Sequence, residues 1–162
     1  MADGKIYYAE RNNNYYLKFV GDVRVTLCTG LSNYIESIFD GEEIASVSVD
    51  FTETQAVDST TLGLLAKVAL HVINKEDIKA MLIVKNESLI RLVTGMGFDE
   101  IFELVRSLPS TPSELEMLPC SKAPTDEARV QVIEAHKTLM SLNKKNMSAF
   151  SDLVKALERE AG

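Results

Sequence analysis

The stretch from Ala45 to Ile73 constrains the fold more than any other part of the chain. Ala45, Val47, Val49 and Phe51 alternate with Ser46, Ser48 and Asp50. A period of two marks a strand with one face buried and the other polar. Past a polar loop the period changes: Leu62, Leu65, Ala66, Ala69, Val72 and Ile73 recur at helical spacing on one stripe. Between the two patterns stand Asp58, Ser59 and Thr60, short oxygen-bearing side chains where a helix's first N–H groups lack partners. They can serve as a plain helix cap. They can also mark a phosphoacceptor, because a phosphate at a helix N-terminus meets free N–H groups and the positive end of the dipole.

The rest of the chain repeats this strand-and-helix grammar. Lys5 to Glu10 and Tyr15 to Val20 are rich in Tyr, Ile, Val and Phe, and Arg11-Asn12-Asn13-Asn14 between them predicts a β-hairpin turn. Gly21-Asp22 interrupts the run, and Val23 to Leu27 can add a short extended segment. Leu31, Tyr34, Ile35, Ile38 and Phe39 share a helical face that ends at Gly41. Ala80 to Val84 predicts a central strand, and Asn86 or Ser88 a cap for a helix through Val93 to Gly95. The order β-β-(β)-α-β-α-β-α-β implies an α/β layer fold of about four to five strands. The alternation at Ala45 to Phe51 implies helices mainly on one face.

Two motifs carry a family resemblance. Asp58-Ser59-Thr60-Thr61-Leu62-Gly63 resembles the Asp-Ser-Ser/Thr-Gly-Leu-Gly signature of the anti-sigma-factor antagonists, small bacterial domains of the STAS family, with Thr61 where glycine is usual. Thr94-Gly95-Met96, leading to Ile101-Phe102, resembles the family's second signature, a Thr-Gly-Leu turn before a final Ile-Phe strand. Gly21-Asp22-Val23 resembles a third, weaker element. The resemblance covers residues 1–107, the expected STAS domain.

All four prolines fall between Leu108 and Pro124, among serines and threonines, so residues 108–124 are expected to form a linker. Beyond it, residues 125–162 are expected to form a helical extension. Thr125-Asp126-Glu127 is a good helix start. Val132, Ile133, His136, Leu139 and Met140 make one stripe, and Met147, Phe150, Val154, Leu157 and Ala161 another, with a break near Asn143 to Asn146.

Composition narrows the function classes. The net charge of −7 argues against a nucleic-acid partner, which calls for a basic stripe. The excess negative charge lies ahead of Ala123, so a partner of that part is expected to be basic. No apolar run is long enough to span a bilayer, and Met1 to Lys5 lacks a signal-peptide pattern. Cys28 and Cys120 lie far apart without metal-ligand spacing, so reduced thiols and a cytoplasmic location are expected. No metal site or cofactor is expected: Glu42-Glu43 and Glu76-Asp77 read as solvated loop charges. Catalysis is not expected either. His71 and His136 stand without an acid or cysteine at triad spacing, and there is no phosphate-binding glycine loop with a lysine.

The resemblance implies a partner-switching module. Unphosphorylated, the domain would bind an anti-sigma factor and free the sigma factor. A serine kinase with a histidine-kinase-like ATPase fold would phosphorylate Ser59, and a metal-dependent serine phosphatase would reverse this. Asp58 would shape the loop, Thr60 would be a helix-start contact, and Thr61, Leu62, Arg91, Thr94 and Met96 would extend the contact surface. Thr60 and Thr61 stay open as alternative acceptors. Two other readings fit the same domain: a non-switching STAS subunit of a membrane ATPase or transporter, and a small-ligand sensor. The terminal helices could cap the domain, dock a second partner or pair between copies of the chain.

Overall fold

The computed structural model describes residues 4–24, 29–41, 43–119 and 125–161. Strands β1 (Lys5–Arg11) and β2 (Asn14–Val23) form an antiparallel hairpin closed by Asn12 and Asn13, whose φ values are 53° and 65°. Positive φ at both central residues is the tight turn that matches strand twist, and asparagine tolerates it better than most residues. Helix α1 (Thr29–Asp40) leads to β3 (Ser46–Val57), then α2 (Ser59–Glu76), β4 (Ala80–Ile83), α3 (Glu87–Gly95), the single turn α4 (Phe98–Ile101) and β5 (Phe102–Val105). A short strand β6 (Glu116–Met117) precedes the terminal helices α5 (Thr125–Met140) and α6 (Lys144–Ala161).

The sheet has six strands in the order β5-β4-β3-β2-β1-β6, with β2, β3, β4 and β5 parallel. Leu17, Phe19, Val47, Val49, Phe51 and Leu82 meet Leu31 and Ile35 of α1, Leu65 and Val72 of α2, and Leu89 and Val93 of α3 in one continuous core. The helices therefore lie on one face, as the strand alternation implies. The chain is a mixed α/β fold with two helices after the sheet.

Several details differ from the sequence expectation. Gly21 does not end β2: it sits at φ 81° where the register against β3 shifts, so the strand bulges and continues to Val23. An extended segment at Val23 to Leu27 falls largely outside the described residues, as do Cys28, Cys120 and Glu42. Strand β3 runs six residues past Phe51, because Thr54, Ala56 and Val57 pair with Gly21, Asp22 and Val23. Its polar face is covered as well: Ser48 and Asp50 are buried, and the Tyr16 hydroxyl donates to the Asp50 carboxylate. Burial first, and then the neighbouring Asp50 carboxylate, push the Tyr16 phenol well above its ordinary range.

Within residues 108–124, Tyr7 and Tyr8 pair with Met117 and Glu116, adding a sixth strand where only a linker is expected. The Tyr8 hydroxyl donates to Glu116 Oε2 at 2.6 Å, and the Leu118 side chain enters the core. Pro109 and Pro112 precede this strand and Pro119 follows it, so none removes a ladder bond. The segment around Pro109 and Pro112 closes a cavity of about 800 Å3 against Arg11, Tyr16, Ser48 and Met81 on the polar face of the sheet.

Candidate functional site

Strand β3 ends at Val57, and Asp58 turns the chain into α2. Its backbone is extended (φ −82°, ψ 163°), and its carboxylate accepts the Thr61 N–H at 2.8 Å. Asp58 is thus the N-cap, satisfying one of the orphan donors of the first turn. Its own N–H donates to the Val23 carbonyl at 3.2 Å, which ties the loop to the end of β2. With capping done by Asp58, the hydroxyl of Ser59 is left for another partner.

That partner lies 77 residues away. Ser59 Oγ is 2.8 Å from His136 Nε2, and His136 Nδ1 is 2.7 Å from the Val132 carbonyl oxygen one turn earlier on α5. A carbonyl only accepts, so Nδ1 carries the proton and Nε2 is the acceptor; the Ser59 hydroxyl donates to it. A Ser–His pair at this distance can form an activated nucleophile when a carboxylate orients the imidazole. Here a neutral carbonyl occupies that position, and the Phe150 ring stands edge-on to the imidazole with centroids 4.9 Å apart. His136 is 2% exposed, held more as a packed hydrogen-bond acceptor than as an accessible base.

The rest of α5 follows α2 closely. Gly63 is where the two helices meet: a Cβ built there would lie 2.3 Å from the Ala135 carbonyl oxygen. Only a residue without a side chain permits that approach. At the helix margin Lys67 pairs with Glu134 at 3.3 Å. The turn between α5 and α6 reaches the second motif. Asn143 Nδ2 donates to the Gly95 carbonyl at 3.4 Å, and the Asn143 side-chain oxygen accepts the Asn146 N–H at 2.7 Å, capping α6. Asn146, 2% exposed, donates through Nδ2 to the Met96 carbonyl at 2.9 Å and to the Leu139 carbonyl at 2.8 Å. Gly97, at φ 90°, then starts α4.

The expected site residues separate into two groups. Asp58 and Ser59 are half-buried at the surface of the loop. Thr60 is 7% exposed, and Thr61 and Leu62 are buried at 0% and 1% beneath the helix start. Thr61 cannot reach a partner from there, and its β-branched side chain fills space in the core where a glycine would leave a void. Arg91 and Thr94 are exposed on α3, and Met96 is half-buried beside Asn146. Met96 and Ser59 are brought under one cover, the α5–α6 hairpin. The sequence gives no local sign of His136, Asn143 or Asn146 as parts of this site; a glycine inside the apolar stripe of α2 is the one available hint of a close helix approach.

His71, the other histidine, packs against Phe39 with the rings tilted by 42° and their centroids 4.5 Å apart. Among the described residues no group of three or more His, Cys, Asp or Glu is placed to hold a metal ion, and no helix is long and apolar enough to cross a membrane.

Among curated proteins, none matches the chain. A family match does exist, and it spans β1 to β5 and the first four helices, ending short of β6. Residues 6–111 match the STAS domain, both turn motifs fall inside that span, and the chain therefore belongs to the STAS domain family.

Proposed function

We propose that this protein is an anti-sigma-factor antagonist that works by partner switching, with Ser59 as its phosphoacceptor. The observation that carries the reading is the difference among three adjacent hydroxyls. Thr60 and Thr61 are buried, whereas Ser59 stands half-exposed on the first turn of α2, and Asp58 rather than Ser59 caps the helix. A serine kinase with a histidine-kinase-like ATPase fold therefore has one hydroxyl in the loop within reach. Membership of the STAS family supports a protein-binding role.

Phosphorylation would act through charge. A phosphoserine adds about −1.5 to −2 at neutral pH. Beside Asp58, on a domain that already carries the chain's excess negative charge, each close like-charge pair costs about 1 kcal/mol in water and several-fold more once a partner excludes solvent. An anti-sigma factor covering this loop would then lose on the order of 100-fold in affinity. Unphosphorylated, the domain holds the anti-sigma factor and the sigma factor is free; a metal-dependent serine phosphatase restores that state.

Phosphopeptide mapping from cells in both signalling states tests the reading, together with anti-sigma binding by Ser59→Ala and Ser59→Asp chains. The expected result is phosphate on Ser59, binding kept by Ser59→Ala and lost by Ser59→Asp. Binding that is indifferent to both substitutions would instead favour a fixed STAS subunit of a larger assembly.

A further inference from the structure

The two motifs that make this chain a STAS protein are covered by the chain's own C-terminal hairpin. His136 accepts from Ser59, Ala135 lies against Gly63, Asn143 bonds the Gly95 carbonyl, and Asn146 bonds the Met96 carbonyl. The cover is shaped to this surface and is more than a chance apolar contact. Its closest approach needs a glycine on α2, and its polar tip matches two backbone carbonyls of the second turn. Ala135 and Leu139 are fully buried in the same core as the sheet.

We propose that the N-terminal half of α2 with the Gly95–Met96 turn is a helix-accepting docking surface, filled in cis by α5, and that a phosphate on Ser59 evicts the hairpin. A partner that uses this surface must replace α5, so it would present a helix with a small residue opposite Gly63 and side-chain amide donors near its end for the Gly95 and Met96 carbonyls. The phosphate part rests on the reading of Ser59 as phosphoacceptor; the helix-accepting surface does not.

The exclusion between phosphate and hairpin follows from the Ser59–His136 contact. At 2.8 Å the hydroxyl and Nε2 leave no room for a phosphorus and three oxygens between them. In the neutral ring the Val132 carbonyl calls for the proton on Nδ1, so Nε2 turns a lone pair toward the incoming oxygens. Asp58, the preceding residue, adds a carboxylate that accepts the Thr61 N–H at the same helix start. Like charge and crowding both act against the docked state.

Amide hydrogen exchange on the full chain tests this, with phosphoserine installed at position 59 during synthesis so that no kinase is needed. The expected result is a fall in protection of α5 and α6 of about tenfold or more, with β3 and β4 unchanged. The Ser59→Ala chain, which loses the hydrogen bond without gaining bulk, should keep α5 protection within about threefold of the native chain. Unchanged protection in the phosphoserine chain overturns the proposal. So does a rise, the result of an imidazolium–phosphate pair, and so does an equal loss in Ser59→Ala or a loss that spreads to β3 and β4. Hairpin release by installed phosphoserine together with unmodified Ser59 in cells would overturn only the partner-switching reading.

Discussion

The carbonyl of Ala135 lies where a side chain at Gly63 would have to begin, 2.3 Å from an ideal Cβ. Replacing a helix-interior glycine by alanine ordinarily stabilises by about 1 kcal/mol. At Gly63 the sign should reverse. Gly63→Ala is expected to lower the free energy of unfolding by about 1–3 kcal/mol, the usual cost of overpacking, in urea titrations of the full chain. Exchange protection lost first in α5 would show where the strain is relieved.

Asn146 joins three segments: its side-chain amide donates to the Met96 and Leu139 carbonyls, and its backbone N–H to the Asn143 side chain. Asn146→Ala leaves two buried carbonyls without that donor. A loss of about 1–3 kcal/mol is expected, measured as a lowered melting temperature. Asn143→Ala removes the α6 cap and a longer contact, and should cost about 0.5–2 kcal/mol.

Tyr34 presents the opposite case. Its hydroxyl is buried without a hydrogen-bond partner among the described residues, and burial is the main cause of its raised pKa. Its ring contacts Tyr8 at 4.9 Å and Tyr15 at 6.4 Å, contacts that phenylalanine would keep. Tyr34→Phe is therefore expected to be neutral or to stabilise by up to about 1–3 kcal/mol, the penalty of an unsatisfied buried group. A clear drop in stability on denaturant titration would contradict this.

The Tyr16–Asp50 bond gives a pH signature. Burial raises the Tyr16 pKa in the fold above its unfolded value of 10.0, so the neutral phenol is the form the fold favours. Its contribution is complete below pH 10 and is lost as pH rises from there through the folded value. Unfolding free energies measured from neutral pH upward should fall above pH 10 in the native chain. Tyr16→Phe should flatten that fall, at a cost of about 1–3 kcal/mol near pH 7 from the Asp50 carboxylate left without its donor.

The parts of the fold legible in the sequence are those whose cause is local. The alternation at Ala45 to Phe51, the paired asparagines of the first turn and the helical stripe from Leu62 to Ile73 each state their structure in a few consecutive residues. The remainder depends on partners distant in sequence. Thr52 to Val57 is too polar to announce a strand, and it extends because β2 bulges at Gly21 and continues alongside. Glu116 and Met117 become a strand only because β1 offers an unpaired edge. The candidate site divides in the same way. Asp58 and Ser59 are recognisable from the loop before α2, whereas His136 occupies an ordinary place in the stripe of α5 until Ser59 is brought to it.

The attachment of α5 to β6 has a consequence for any competitor. Leu118 is anchored in the core, and Thr125 opens α5 only a few residues later, so the hairpin never diffuses away from its seat. A short tether of this kind keeps a ligand at an effective concentration near the millimolar range. A protein present at about 1 μM must bind the bare surface roughly a thousandfold more tightly than the hairpin does merely to share it equally. Any change that loosens the hairpin without adding charge at Ser59 lowers that threshold for every rival at once, without a single change in the rival itself.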